Sequence, residues 1–361
     1  MADASASTPV LSVIIPSLNE EDCLPLLLQD LLRQRRIAFE ILISDGESRD
    51  LTCSRASELL GASGIPHRIV SGPPGRGRQL NRAVRRARGA WLLFLHADSR
   101  LPADDALEQA LNLLGETWSD DAPCRVAGRF RLRFDSSGSE PADGLFFCEA
   151  KARLGEAGCI HGDQGFLLCR RFYDEVGPFR EDLPVMEDTW MAEAIREKGQ
   201  WLLLPGEIRT SARRFAAEGF ERRQVLNALL MNFLFIGWND FLRQAPDIYR
   251  RQDRSGRLQL LPFWQEIRQR LGRMPLRKRW GLWYATGRFV RSQAWQLRYW
   301  REARRCLRQG RSVAAMDSGV VRRFRAWFEP LTGHPPGNAL AGLLTWIWFQ
   351  VVYLRLRQQE E

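Results

Sequence analysis

The residues able to do chemistry in this 361-residue chain fall in short acidic loops, each at the end of an apolar run. "WLLFL", residues 91–95, follows the turn signal Arg88-Gly89 and gives way at once to His96-Ala97-Asp98. A run of that length reads as a buried strand whose carboxyl end is Leu95. Two earlier runs behave alike, "VLSVIIP" leading to Pro16-Ser17-Leu18-Asn19-Glu20 and "EILISDG" to Asp45, Gly46 and Glu47. In a parallel sheet the loops after the first, second and fourth strands meet at one crevice, where such sheets bind ligands. Three acidic loops at one edge repel one another unless a cation or a hydrogen-bonding ligand lies between them. Taken singly, Asp45-Gly46 is also an ordinary turn and Asn19-Glu20 an ordinary helix start.

Between the third and fourth strands, "GPPGRGRQLN" reads as a glycine loop opening a basic helix, or as a plain turn. Around a diphosphate, Arg76 and Arg78 would supply charged hydrogen bonds. Further on, Gly162-Asp163-Gln164 precedes a strand, and Glu187-Asp188 opens a helix, where acidic residues are favoured by the macrodipole in any case.

The elements that must position these residues alternate strand and helix from residue 10 to about 210, an order that predicts a parallel sheet wrapped by right-handed crossovers. "CRVAGRFRLRF", residues 124–134, alternates apolar residues with arginines and predicts a half-exposed strand added antiparallel to that sheet. Beyond residue 219 the pattern is helical. The fold class expected is therefore α/β with a mostly parallel mixed sheet, followed by an α-helical C-terminal region. The domains expected are a disordered N-terminus over 1–9, a catalytic domain over 10–218, and a basic, Trp-rich, membrane-associating region over 219–361.

Charge separates these parts. Residues 241–361 hold 24 Arg and Lys against 8 Asp and Glu, a net +16 in a chain whose total is +10, so the first 240 residues are net −6. The same tail holds 8 of the 13 tryptophans, which suggests tethering to an anionic surface, either membrane or nucleic acid. Its arginines are interleaved with apolar and Trp-bearing stretches rather than set in a polar stripe, which favours a lipid surface; no nucleic-acid partner is expected. "ALAGLLTWIWFQVVYL", residues 339–354, is apolar for 16 residues, short of the roughly 20 that a spanning helix needs. An interfacial helix, a helix buried in protein and a true span all remain open for it. The seven cysteines show no CxxC pair and no metal-ligand spacing, so they read as reduced and structural. The start "MADASASTPV" lacks a secretory pattern, and the expected location is cytoplasmic, peripheral on the inner face of the cell membrane.

The strand ends together resemble family 2 glycosyltransferases of the GT-A fold, whose marks are P-x-x-N-E, D-G-S and D-x-D after successive strands. "SGPPGRGRQLNRAVRRARGAWLLFLHADSRLP", "GDQGFLL" and "LPVMED" are similar to the bacterial rSAM/selenodomain-associated transferase 2 subfamily. The resemblance covers residues 10 to about 240. It implies a nucleotide-sugar donor bound by Pro16, Asn19, Glu20, Asp45, Gly46, Arg76, Arg78, Asn81 and His96, with Asp45 on the nucleobase. It implies Mn²⁺ or Mg²⁺ on Asp98, the last position of the D-x-D. His96 stands where the wider family has the first Asp and either joins Asp98 on the metal or contacts only the ribose. Gly162, Asp163 and Gln164 would line the acceptor pocket. Asp188 would be the catalytic base with Glu187 supporting it, and Arg213 and Arg214 would hold the diphosphate, Phe215 replacing the Trp of that motif.

The function implied is metal-dependent, inverting sugar transfer to an acceptor hydroxyl, a lipid-linked acceptor being one option. The rivals are nucleotidyl transfer on the same fold, which releases pyrophosphate instead of nucleoside diphosphate, and nucleic-acid binding through the tail.

Overall fold

Seven consecutive buried residues rich in β-branched side chains make Leu11–Ser17 the central strand β1. The computed structural model describes residues 9–117, 124–136, 138, 140–252 and 256–359, so the N-terminal segment expected to be disordered lies outside the described residues except for Pro9. After β1 come α1 (Leu24–Leu32), β2 (Phe39–Asp45), α2 (Thr52–Gly61), β3 (His67–Ser71), α3 (Arg76–Val84) and β4 (Trp91–Phe94). Then follow β5 (Ser99–Arg100), α4 (Ala106–Glu116), β6 (Val126–Asp135), α5 (Ala142–Ala152), β7 (Phe166–Cys169), α6 (Arg170–Val176), α7 (Glu187–Lys198) and β8 (Gln200–Ser211).

The eight strands lie in the order β3-β2-β1-β4-β7-β6-β8-β5. The first four are parallel, β7 turns antiparallel to β4, and β6 is antiparallel to β7 but parallel to β8. The mixed α/β sheet flanked by helices that the sequence implies is thus the architecture found. Strand order reverses between β1 and β4, which makes their carboxyl ends the switch point for a ligand crevice. Val13, Ile15, Ile41, Ile43, Leu92 and Leu93 are all fully buried, as expected where helices cover both faces of a sheet. The turn before β4 touches β1 so closely that a Cβ on Gly89 would stand 2.6 Å from the Ser12 nitrogen, so only glycine fits there.

One expectation is corrected. β6 does not run antiparallel to the first strands: being antiparallel to β7, which is antiparallel to β4, it points the same way as they do, with β7 and β8 pairing to its two edges, and of its alternating arginines Arg129 is buried while Arg133 is exposed. The Arg129 guanidinium is held by the Ala152 carbonyl and by Gln164 Oε1 at 2.9 Å, and burial lowers its pKa to about 10.

Two compact units emerge, one comprising residues up to Asp135 with Lys151–Ser211, the other Ser136–Ala150 with Ala212–Glu361. The second is helical, with α8 (Arg213–Glu218), α9 (Phe220–Phe235), α10 (Asn239–Arg250), α11 (Leu261–Arg273), α12 (Leu276–Ser292), α13 (Trp295–Arg308), α14 (Gly319–Thr332) and α15 (Pro335–Gln358). Within it α12 crosses α15 at two glycines, where a Cβ on Gly287 would stand 2.2 Å from the Gly342 nitrogen. Trp264 of α11 stacks on Phe349 with ring centroids 5.5 Å apart. The other side of α15 is bare: its 24 residues are long and apolar enough to cross a membrane, and its most apolar stretch is only 11% buried. The apolar stretch at 339–354 is therefore not a core helix. Five tryptophans are exposed among the described residues, at 280, 300, 327, 346 and 348, and all five belong to this unit.

Candidate functional site

The loops after β1 and β2 are laced together by short polar side chains. Asn19, in the left-handed region at φ 54°, accepts from the Arg49 N–H at 2.9 Å, while its own N–H donates to Ser48 Oγ at 2.9 Å. Asp45 is buried and accepts from the Ser48 N–H at 2.9 Å and from Ser48 Oγ at 2.6 Å. The Gly46 N–H donates to the Ser17 carbonyl at 2.8 Å, and the Glu20 N–H to Thr52 Oγ1 at 2.8 Å. Pro16, Asn19, Glu20, Asp45 and Gly46 are therefore brought to one rim, over the carboxyl ends of β1 and β2.

Gly75, at φ 132°, turns the chain into α3 in a conformation that side chains rarely adopt. Arg76 follows as the first helical residue, and its Nη1 donates to Glu187 Oε1 at 3.1 Å. Arg78 is exposed. Gln79 and Asn81 are buried, and all four hydrogen-bonding positions of the Asn81 amide are taken up within the protein.

Across the crevice, Gly162 is the point on which His96 and Asp188 converge. A Cβ there would stand 2.6 Å from His96 Nε2 and 3.0 Å from Asp188 Oδ2. Asp188 is fixed from both ends: Oδ2 accepts from the Gly162 N–H at 2.8 Å and Oδ1 from the Thr189 N–H at 2.7 Å. His161 Nδ1 lies 2.9 Å from Thr189 Oγ1. Glu187 and Asp188 do lie in the first turn of α7, after Met186 as the cap, and Oδ1 meets a first-turn N–H; the Oδ2 bond, which reaches back 26 positions to Gly162, is what a helix start alone does not require. Gln164 is fully buried, donating to the Cys159 carbonyl at 2.9 Å and accepting from Arg129 at 2.9 Å, so its amide is occupied inside the protein.

The electrostatics divide the carboxylates. Burial would raise the Asp188 pKa, but the Arg76 charge, with the Gly162 N–H, holds it below the ordinary carboxylate range. Asp163 is pushed up to about 7 by burial, reinforced by the charges of Asp188 and Asp98. Glu187 is likewise raised to about 7 by burial, against the pull of Arg76. Burial lowers His161 to about 4, so it is neutral at physiological pH. Asp163 Oδ1 and Glu187 Oε2 are buried without a hydrogen-bond partner. A carboxylate kept charged beside others kept proton-bearing is the arrangement that separates a base from its neighbours.

Arg213 and Arg214 open α8 in the second unit, two residues beyond the end of β8. Sequence reasoning passed over Gln79, His161 and Asp30. Asp30 is fully buried on α1 and grips the segment just after Asp98, accepting from Arg100 Nε at 2.6 Å and from the Leu101 N–H at 3.0 Å. For Gln79 a local signal existed, since it lies three residues after Arg76 on one helix; Asp30 and His161 act through distant partners that no local pattern displays.

Residues 12–176 match the family model described as Glycosyl transferase family 2. A PGL/p-HBAD biosynthesis glycosyltransferase of Mycobacterium tuberculosis is 38% identical over 113 residues, covering 30% of this chain and 43% of that protein. A dolichyl-phosphate beta-glucosyltransferase of Drosophila melanogaster is 34% identical over 139 residues, 35% of this chain and 42% of that protein. The chain thus spans less than half the length of these curated relatives. Among solved structures, the mannosyltransferase PcManGT from Pyrobaculum calidifontis, in complex with GDP-Man and Mn2+, aligns over 94% of this chain and 87% of its own at 17% identity and TM-score 0.48. TarS 1-349 of S. aureus, in complex with UDP-GlcNAc, aligns over 83% of this chain and 92% of its own at 16% identity and TM-score 0.45.

Proposed function

We propose that this chain, whose residues 12–176 match the glycosyl transferase family 2 model, moves a sugar from a nucleotide-sugar donor to an acceptor hydroxyl with inversion at the anomeric carbon. The motifs quoted above, by their resemblance, support the rSAM/selenodomain-associated transferase 2 subfamily within that family. The observation that carries the reading is Asp188: a carboxylate held charged and aimed by two backbone N–H groups, beside His96 and across from Arg76. A single such base suits an in-line displacement, in which it takes the acceptor proton as the hydroxyl attacks. Asp45, Gly46, Asn19 and Glu20 frame the nucleotide, and Arg76 and Arg78 meet the diphosphate. Asp163 and Gly162 stand on the acceptor side.

Among the described residues no three His, Cys, Asp or Glu side chains form a ready ligand set. The donor chemistry nevertheless fits a divalent ion bound together with substrate: Asp98 offers one carboxylate, His96 an imidazole, and a diphosphate would supply further oxygens. Two buried carboxyl oxygens beside them, Asp163 Oδ1 and Glu187 Oε2, have no hydrogen-bond partner within the protein. When bound, Mn²⁺ or Mg²⁺ would neutralise the departing diphosphate.

The purified full-length protein, given a panel of UDP- and GDP-sugars with Mn²⁺, is expected to release nucleoside diphosphate without pyrophosphate. Pyrophosphate as the product would establish nucleotidyl transfer instead. Binding should also raise the melting temperature, since the ligand binds only the native state.

The reading extends to a membrane-bound enzyme on the cytoplasmic face, with a lipid-linked acceptor. Its support is the exposed apolar side of α15, with Leu340, Leu343, Leu344, Ile347 and Val351, flanked by Arg355 and Arg357. Exposed indoles beside arginines suit an anionic interface. The full chain is therefore expected to sediment with vesicles containing anionic lipid, less so at high salt, and Leu344→Glu with Ile347→Glu to remain in the supernatant. Equal sedimentation of that double variant would show that α15 does not make the contact.

A further inference from the structure

Resting on that reading of the site, we propose that α3 is a spacer that holds the donor cradle and the base at a fixed separation, with Gln79 and Asn81 as its two positioning residues. Residues two apart on a helix point to nearly opposite sides, so these two buried amides reach different parts of the fold.

Gln79 faces the strand ends. Its Nε2 donates to the Ser17 carbonyl at the end of β1 and to the Ser44 carbonyl near the end of β2, both at 2.8 Å. Its Oε1 accepts from the Gly75 N–H at 3.3 Å. One side chain thus joins the three segments that would surround the nucleotide and its diphosphate. The fit is close, since a Cβ on Gly46 would stand 3.1 Å from Gln79 Nε2.

Asn81 faces the segment leading to the base. Its Nδ2 donates to the Phe179 carbonyl at 2.9 Å and to Glu181 Oε1 at 3.0 Å, and its Oδ1 accepts from the Phe179 N–H at 3.0 Å and from Tyr173 Oη at 3.1 Å. With both donors and both lone pairs engaged, nothing of the amide is left for a ligand. Gly77, four residues earlier and on the same face, lets the segment approach so closely that a Cβ there would stand 2.8 Å from the Arg180 carbonyl oxygen. Six residues after Glu181 the chain reaches Glu187, which grips Arg76 at the start of α3 and closes the ring. Asn81 therefore acts on the base, and Gln79 on the donor, although the two are neighbours in sequence.

The test is a crossed pair of defects. Nucleotide affinity is measured with UDP and GDP in Mn²⁺, and turnover with the sugar nucleotide that the wild type accepts, in conditions where Asp188→Asn is slow. Asn81→Leu is expected to leave affinity within about threefold while turnover falls about 100-fold, as a base misplaced by an ångström would cause. Gln79→Met is expected to weaken nucleotide binding about tenfold, the scale of lost buried hydrogen bonds, with turnover at saturating donor retained. In the Asp188→Asn background Asn81→Leu should cost nothing more, because residues acting as a unit are not additive. Should Asn81→Leu fail to fold, Gly77→Ala moves the same segment without removing a buried hydrogen bond and should give the same pattern. Equal loss of affinity and turnover in both variants, or a further loss in the Asp188→Asn background, would overturn the spacer while leaving the transferase reading intact. A wild type that binds no nucleotide and turns over no sugar nucleotide would overturn both together.

Discussion

Asp188→Asn is expected to lower sugar transfer by roughly the 10²–10⁴-fold that a lost general base costs, while nucleotide affinity stays close to wild type. The carboxylate is placed to act on a proton: burial would make it neutral, yet the Arg76 charge and the Gly162 N–H keep it charged, so it is a base at physiological pH. The amide is not a silent replacement. Both carboxylate oxygens accept backbone N–H groups, from Gly162 at 2.8 Å and Thr189 at 2.7 Å, and the amide oxygen of Asn can keep only one of them, its NH₂ being left against the other donor. A stability loss of about 1–3 kcal/mol, the usual penalty for an unmade buried bond, should accompany the variant and is measured by its melting curve. Because nucleotide binding reports on the folded fraction, the two effects separate cleanly. Near-normal transfer by a folded Asp188→Asn would remove the residue as base and turn attention to Glu187 or Asp163.

The parts of this molecule that were legible in the sequence are those in which one short segment contains both the pattern and its consequence. β1, β2 and β4 were visible because an apolar run and the polar loop that ends it are contiguous, and a parallel sheet then puts their carboxyl ends at one edge. The same reasoning brought Asp45, Asp98 and Arg76 to the site. β8 was not visible as a strand because Pro205 and Gly206 interrupt it and its pairing with β6 shifts register between Arg129 and Arg131. Arg129 looked like a surface residue because alternation on β6 shows which residues share a face, but not that the Ala152 carbonyl and Gln164 will meet that face. Asn81 was placed by its motif without its partners, all of which lie more than 90 positions away. Motif and spacing locate a residue in the chain; only the packed fold shows what its polar atoms have left to offer.

Asp98→Ala is expected to abolish metal-dependent nucleotide binding without harming the fold. Loss of a hydrogen-bond partner of a metal ligand already costs about 10–100-fold in metal affinity, and loss of the ligand carboxylate itself should cost more. In the ligand-free protein the same carboxylate repels Asp163, whose Oδ1 has no hydrogen-bond partner, and attracts Arg76. Removing it therefore exchanges a repulsion for a lost attraction, and the segment that carries it stays pinned just beyond, where Asp30 holds Arg100 at 2.6 Å and Leu101 at 3.0 Å. The melting temperature of Asp98→Ala should accordingly stay close to that of the wild type, while the rise produced by UDP or GDP with Mn²⁺ disappears. A residue whose role was only to end β4 would show the reverse, a lower melting temperature with the nucleotide response intact. Wild-type-like stabilisation of Asp98→Ala by nucleotide and Mn²⁺ would move the metal to other ligands, and His96 would then be the first to replace, because its Nε2 lies within reach of the same crevice, close against Gly162.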